Sequence, residues 1–190
     1  LGTPTLSKAF RKYLIDKRPN HYHVGQTFKG WDTWGSLVTT IDADPIEWLR
    51  EFEGKLKCDE GFVRKWKELE KNAELDGVEW SDVVAFETIL NGVGEECSVH
   101  LSNSTSARYV QMVKSPRGLK YHCNRGVAGI DGCTSTAVGD AVGSGEEVVL
   151  ITGDVAFLYD LNGLTSVQEM PAKLKVVVIN NGGGEIFRWL

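Results

Sequence analysis

No stretch of this 190-residue chain approaches the roughly 18 consecutive apolar residues of a membrane-spanning helix. The opening residues, LGTPTLSKAF, also lack the apolar core of a secretion signal. Lys and Arg, 21 in all against 26 Asp and Glu, form no stripe, and the formal charge is −5. That argues against nucleic-acid binding, because neutralising phosphates takes clustered cations. The four cysteines (Cys58, Cys97, Cys123, Cys133) make no C-x-x-C pair and have no histidine at zinc-ligand spacing, so they read as reduced, mostly buried thiols. Internal repeats and low-complexity tracts are missing as well. The expectation is a soluble, cytoplasmic protein without a nucleic-acid partner.

What is present is a globular composition, 42% hydrophobic and 25% charged, which excludes disorder, collagen and a coiled-coil rod. The length suits one domain, or one domain and part of another. The chain opens on Leu1 and stops at Leu190, inside the apolar cluster IFRWL directly after a glycine run, which reads as a piece of a longer protein.

The first half mixes elements. Phe10, Leu14 and Ile15 recur at helical spacing after Ser7, a candidate N-cap, and Pro19 follows the end. His21 to Val24 alternates like a short strand, a glycine- and tryptophan-bearing loop follows, and SLVTTIDAD suggests a second strand. Pro45 then opens a helix that ends near Leu56. Residues 59 to 91 read as two charged helices and a solvated face, one carrying Phe62, Val63, Trp66 and Leu69, the other led by Ser81 with Val84, Phe86 and Leu90.

Beyond residue 95 the pattern becomes strand, turn, helix, repeated. CSVHL, LKYHC, EEVVLITG and LKVVVI are the strands, and TSARYVQMV, DGCTSTAVGDAVG and AFLYDLNGLTSVQEM the helical connections. The near-continuous apolar runs VVLI and VVVI suit parallel strands covered on both faces. Four such strands predict an α/β fold of three layers, a mainly parallel sheet with helices on both faces.

In open parallel sheets a ligand sits outside the carboxyl ends of the strands. Those ends carry Ser102, Asn103 and Ser104, then Asn124 and Arg125, then Gly153 and Asp154, and finally Asn180, Asn181 and glycines 182 to 184. Ordinary turn chemistry explains any one of these groups but poorly explains four. Asp154 and Asn181 each follow an apolar strand at once, offering a carboxylate and an amide carbonyl to one crevice if the strands are neighbours. Mg²⁺ takes hard oxygen ligands of this kind and completes its shell with phosphate oxygens and water. Glycines let a backbone approach a phosphate. A Walker loop is excluded, since no Gly-Lys-Ser/Thr follows, and Gly182, Gly184 and Phe187 do not fit the dinucleotide fingerprint G-x-G-x-x-G. Arg108, one helical turn after Ser104, and Arg125 add guanidinium groups, the usual means of holding carboxylates.

GDVAFLYDLNGL followed by NNGGGEIF resembles the diphosphate-binding half of thiamine diphosphate enzymes, whose signature is Gly-Asp, a spacer, then Asn-Asn. With SNSTSAR and NRGVAGIDGCTSTAVG, the finer resemblance is to the MenD group, the 2-succinyl-5-enolpyruvyl-6-hydroxy-3-cyclohexene-1-carboxylate synthases of menaquinone biosynthesis. It is strong over residues 95 to 190 and looser before them. The resemblance implies the thiamine diphosphate-binding fold, truncated. Residues 1 to 56 would be the C-terminal part of a central domain, and 57 to 190 a diphosphate domain incomplete at its C-terminus. It implies decarboxylation of 2-oxoglutarate and addition of the succinyl-semialdehyde unit to isochorismate, with thiamine diphosphate and Mg²⁺, or Mn²⁺, as cofactors.

Position by position, the resemblance assigns the metal to Asp154, Asn181 and the Gly183 carbonyl. It assigns the cofactor to these together with Asn103, Ile130, Ile186 and Phe187, and the substrates to Ser104, Arg108 and Arg125. Val155 and Glu185 depart from the general pattern, where glycine, or at the second position glycine or glutamine, is expected. The glutamate that activates the cofactor belongs in this family to a separate pyrimidine domain, so no catalytic residue is expected in these 190 residues. The chain alone is expected to be inactive, and the full-length protein a homodimer or homotetramer. Two alternatives stand beside this reading: another thiamine diphosphate enzyme, of acetolactate synthase or 2-oxoacid decarboxylase type, and a non-catalytic diphosphate-binding module. His21, His23, His100 and His122 are expected as packed or surface residues.

Overall fold

The computed structural model describes residues 7–26, 32–55, 57, 59–72, 79–114, 118–171 and 173–189. The chain divides into two compact units, Leu1–Lys71 and Asn72–Leu190. The boundary expected after residue 56 falls inside the first of them. Cys58 and residues 27–31, in the loop between the first two strands, lie outside the described residues.

The first unit holds α1 (Lys8–Lys17), β1 (His21–Val24), β2 (Leu37–Ile41), α2 (Pro45–Arg50) and nearly all of α3 (Glu60–Asn72). Its helices begin where side chains satisfy orphan backbone donors. Ser7 Oγ accepts from Phe10 N at 3.2 Å, and Asp44 Oδ1 from the Ile46 and Glu47 amides at 2.9 and 3.0 Å. Asp59 Oδ1 does the same for Gly61 and Phe62. β1 and β2 pair in parallel, Val24 is buried, and Phe62, Trp66 and Leu69 of α3 are exposed along with its charges.

The second unit is a four-stranded parallel sheet in the order β4-β3-β5-β6. The strands are β3 (Ser98–Leu101), β4 (Lys120–Cys123), β5 (Val148–Gly153) and β6 (Leu174–Ile179). Side chains alternate across a strand, so successive residues of β3 and β5 serve opposite faces. Val99, Leu101, Val149 and Ile151 pack with Phe86 and Leu90 of α4 (Asp82–Asn91) and Tyr109 of α5 (Ser106–Tyr109). Val148 and Leu150 pack with Ala137 and Ala141 of α6 (Cys133–Ser144) on the other face. β3 and β5 are therefore buried on both faces, which explains the apolar run of β5, whereas the VVVI run of β6, expected to be covered on both faces, is only partly buried because β6 has a single strand neighbour. On the α6 face, Ser98 Oγ and His100 Nε2 bond Asp140 Oδ2 at 2.7 and 2.8 Å, which holds that carboxyl below the ordinary aspartate range.

Two helical connections are shorter than their sequences suggest. α5 gives way after Tyr109 to tighter turns, in which Gln111 N and Met112 N reach back three residues. α7 (Asp154–Tyr159) stops at Asp160, and a 3-10 turn (Leu161–Thr165) replaces the rest. Asp160 is buried and serves a different helix. Its two carboxylate oxygens accept from Ser135 N and Ser135 Oγ at 2.7 and 2.8 Å, in the first turn of α6.

Candidate functional site

β3 leads the chain outward to β4, and β5 leads it the other way to β6, so the connections diverge between the carboxyl ends of β3 and β5. Such a switch point leaves a crevice that loops cannot fill. A cavity of about 340 Å³ lies there, lined from the loops after all four strands. It falls at the small end of the range for ligand sites. A larger hollow of about 450 Å³ runs along α3, but all its lining residues belong to that one helix, so no second wall converges on a ligand.

The cavity gathers Asn103, Ser104, Arg108, Arg125, Ile130, Asp154, Asn181, Ile186 and Phe187, nine of the ten residues singled out in the sequence. The tenth, Gly183, is not among the lining residues but passes beside Asp154. A Cβ placed on Gly183 would stand 3.1 Å from Val155 Cγ2 and 4.0 Å from Asp154 Oδ2. Gly182, Gly183 and Gly184 all have positive φ (86°, 77° and 65°), a run of backbone that side-chain-bearing residues adopt only with strain.

On the β3 and β4 side the polar groups hold one another. Asn103 is 1% exposed, and its Nδ2 donates to the carbonyls of Asn124 and Gly129, both at 2.6 Å. Its Oδ1 accepts from Arg125 Nη1 at 2.7 Å, so one buried amide ties the loops after both strands together. Arg125 keeps its other donors for the cavity. The Arg108 guanidinium has no hydrogen-bond or ion-pair partner among the described residues. Ser104 and Ala128 have left-handed backbones (φ 72° and 57°) and both line the cavity. Strained residues of this kind, each costing about 1–3 kcal/mol, concentrate at ligand clamps. Burial pushes the neighbouring Cys123 thiol up, against the opposing pull of Arg125.

On the β5 and β6 side the groups are oxygens with spare capacity. Asp154 Oδ1 accepts from Val155 N at 2.7 Å, and Oδ2 has no partner among the described residues. Asn181 Nδ2 donates to Asp82 Oδ2 at 2.7 Å. A carboxylate only accepts, so this bond decides which end of the amide faces it and leaves Oδ1 available. Asp82, at the start of α4, carries no signal in the sequence because 99 positions separate it from its partner. Glu185 also lines the cavity and pairs with Arg188.

The cavity is thus polarised, cations on one wall and carboxylates on the other. Asp154, Asn181 Oδ1 and a backbone oxygen of the glycine run make an all-oxygen donor set that fits a hard divalent cation such as Mg²⁺. The guanidinium groups opposite suit anionic ligands. Among the described residues no helix is long and apolar enough to cross a membrane.

Residues 102–189 match the family described as thiamine pyrophosphate enzyme, C-terminal TPP binding domain. Over its whole length the chain is 36% identical to the 2-succinyl-5-enolpyruvyl-6-hydroxy-3-cyclohexene-1-carboxylate synthase of Flavobacterium psychrophilum, covering 36% of that protein. The synthase of the same name from Bacteroides thetaiotaomicron is also 36% identical, with 34% of it covered, and that of Desulfotalea psychrophila is 36% identical, with 35% covered. The chain spans about a third of the length of these curated relatives. From end to end the chain is thus similar to synthases of this name, and its residues 102–189 match the C-terminal domain with which thiamine pyrophosphate enzymes bind their cofactor.

Proposed function

We propose that this chain is the diphosphate-binding part of a 2-succinyl-5-enolpyruvyl-6-hydroxy-3-cyclohexene-1-carboxylate synthase, cytoplasmic and homodimeric or homotetrameric at full length. In this reading residues 1–56 are the end of a central domain and 57–190 the diphosphate domain. The observation that carries it is the polarised cavity at the switch point, with Asp82 turning Asn181 Oδ1 outward on one wall and Arg108 and Arg125 on the other.

Asp154, Asn181 Oδ1 and the Gly183 carbonyl would hold Mg²⁺, which would in turn neutralise the diphosphate charge. The carboxylate supplies charge, the amide and carbonyl supply oxygens, and the glycine run lets the backbone come close. Asn103 fixes the loops around the cavity, and Ile130, Ile186 and Phe187 would give the cofactor an apolar lining. When bound, thiamine diphosphate supplies the electron sink that makes decarboxylation of a 2-oxo acid feasible. Arg108, Arg125 and Ser104 bind and orient the carboxylates of 2-oxoglutarate and isochorismate. Holding both reactants in one geometry converts a bimolecular step into an effectively unimolecular one. No residue of this chain is assigned a proton transfer on the cofactor; that falls to a glutamate of the pyrimidine domain.

The test is a titration of thiamine diphosphate into the full-length protein with Mg²⁺ or with chelator, in the parent and in Asp154→Ala, alongside turnover of 2-oxoglutarate with isochorismate. Expected are metal-dependent binding weakened more than about 100-fold by the substitution, turnover by the full-length protein, and none by the 190-residue chain alone. Equal cofactor affinity in parent and variant would overturn the metal assignment, and turnover by the isolated chain would overturn the division of labour.

A further inference from the structure

A second group of ligating side chains lies away from the cavity, on the α6 face of the sheet. His100 and His122 are register partners on the adjacent parallel strands β3 and β4, so their side chains leave the sheet on the same face. Their rings stack with centroids 4.9 Å apart and an interplanar angle of 24°. Asp140 reaches down from α6 to meet them, and one ligand atom from each of His100, His122 and Asp140 lies within 4.8 Å of the others.

Asp140 and His122 have capacity left. Both hydrogen bonds to Asp140, from Ser98 and His100, land on Oδ2, and Oδ1 accepts nothing among the described residues. His122 is exposed, and neither of its ring nitrogens has a hydrogen-bond partner among the described residues. His100 is 5% exposed and already oriented by its bond to the carboxylate. The group combines one rigid, buried imidazole, one solvent-facing imidazole and one carboxylate with a free oxygen, open to water on the His122 side.

We propose that His100, His122 and Asp140 form a binding site for a divalent transition metal of the zinc class, separate from the diphosphate cavity. Two imidazoles and a carboxylate are a familiar three-ligand set for such ions, with water in the remaining position. Ligand atoms around a tetrahedral ion at about 2.0–2.1 Å stand about 3.4 Å apart. Reaching that spacing would take a rotation of the exposed His122 ring and an opening of the 2.8 Å contact between His100 Nε2 and Asp140 Oδ2. Ser98, hydrogen-bonded to Asp140 Oδ2, is the outer partner that keeps the carboxylate in place. The two sites differ in donor type. The cavity offers only oxygens, which suit Mg²⁺, whereas imidazole nitrogen favours zinc, cobalt, nickel or copper. One chain would then sort two metals by ligand hardness, and this assignment does not rest on the proposed synthase activity.

The test uses the full-length protein, stripped with chelator and kept in excess Mg²⁺, with Zn²⁺ titrated in competition with a chromophoric chelator. Parent protein is compared with His122→Ala and Asp140→Asn, and Co²⁺ is used as a spectroscopic stand-in. His122 is exposed, so its replacement tests ligation without threatening the fold, and unchanged far-ultraviolet circular dichroism checks this. One Zn²⁺ per chain bound in the presence of Mg²⁺, weakened at least about tenfold in both variants, with Co²⁺ d–d bands and no thiolate charge-transfer band, is the expected result. Equal Zn²⁺ affinity in parent and His122→Ala, a thiolate band, or no stoichiometric binding would each overturn the proposal.

Discussion

The two walls of the switch-point cavity are built on opposite plans. On the β3 and β4 wall a buried amide holds the loops: Asn103 donates to two carbonyls and accepts from Arg125, and the backbone at Ser104 and Ala128 beside it is left-handed. On the β5 and β6 wall Asp154 Oδ2 and Asn181 Oδ1 have no partner among the described residues, and they sit beside three glycines that present backbone rather than side chains. The first wall is a brace and the second a socket. A pre-formed brace lets the socket keep unsatisfied oxygens, because the cost of holding them apart is met by hydrogen bonds elsewhere in the same crevice.

That contrast is open to direct attack. The largest expected effect is on the brace: Asn103→Leu, similar in volume, leaves the Asn124 and Gly129 carbonyls and the Arg125 guanidinium without their buried partner. It should lower stability by about 1–3 kcal/mol, read as a lower thermal midpoint in the absence of any ligand; an unchanged midpoint would mean the amide is not structural. Next comes the orientation of the socket. Asp82→Asn replaces an obligate acceptor with a group that also donates, so the Asn181 amide is no longer held one way round. Mg²⁺-dependent thiamine diphosphate affinity of the full-length protein should fall roughly tenfold with little change in thermal midpoint, and equal affinity would remove Asp82 from the site.

The smallest effect concerns pH. Burial raises the Cys123 thiol above its ordinary range, so the folded chain keeps a proton that the unfolded chain gives up first. The stability tied to that proton is fully present below the thiol's unfolded value, roughly pH 8.5–9, and drains away as pH rises through the higher folded value. Cys123→Ala should therefore flatten the decline of the thermal midpoint on the alkaline side, by a small margin, without altering its pH dependence in the neutral range. A variant whose midpoint falls with pH as steeply as the parent's would show that the thiol keeps no such proton.

The parts of this design that could be read from sequence are the local ones. Apolar runs such as VVLI mark strands buried on both faces, and polar or glycine residues at their ends are visible without any knowledge of pairing. For the same reason the cavity-lining residues are recognisable in the sequence, and nine of ten converge. Whatever depends on which strand neighbours which is hidden. The order β4-β3-β5-β6 makes β3 and β5 the switch point, and no local signal encodes it. Nor does any pattern mark Asp82 as the residue that orients Asn181, or Asp160 as the one that ends α7 to serve α6. His100, His122 and Asp140 are three unrelated residues in the sequence, and only the parallel register brings the histidines side by side.

The bond between Asn181 and Asp82 also sets a clock. Its partners are 99 positions apart, so during synthesis the donor leaves the ribosome long after the acceptor. At about 5–20 residues per second, the nascent chain waits roughly 5–20 seconds with α4 made and the socket unfinished. Once Gly129 has been added, the growing protein holds a brace with no opposite wall, and the socket is complete only after β6 has taken its place beside β5.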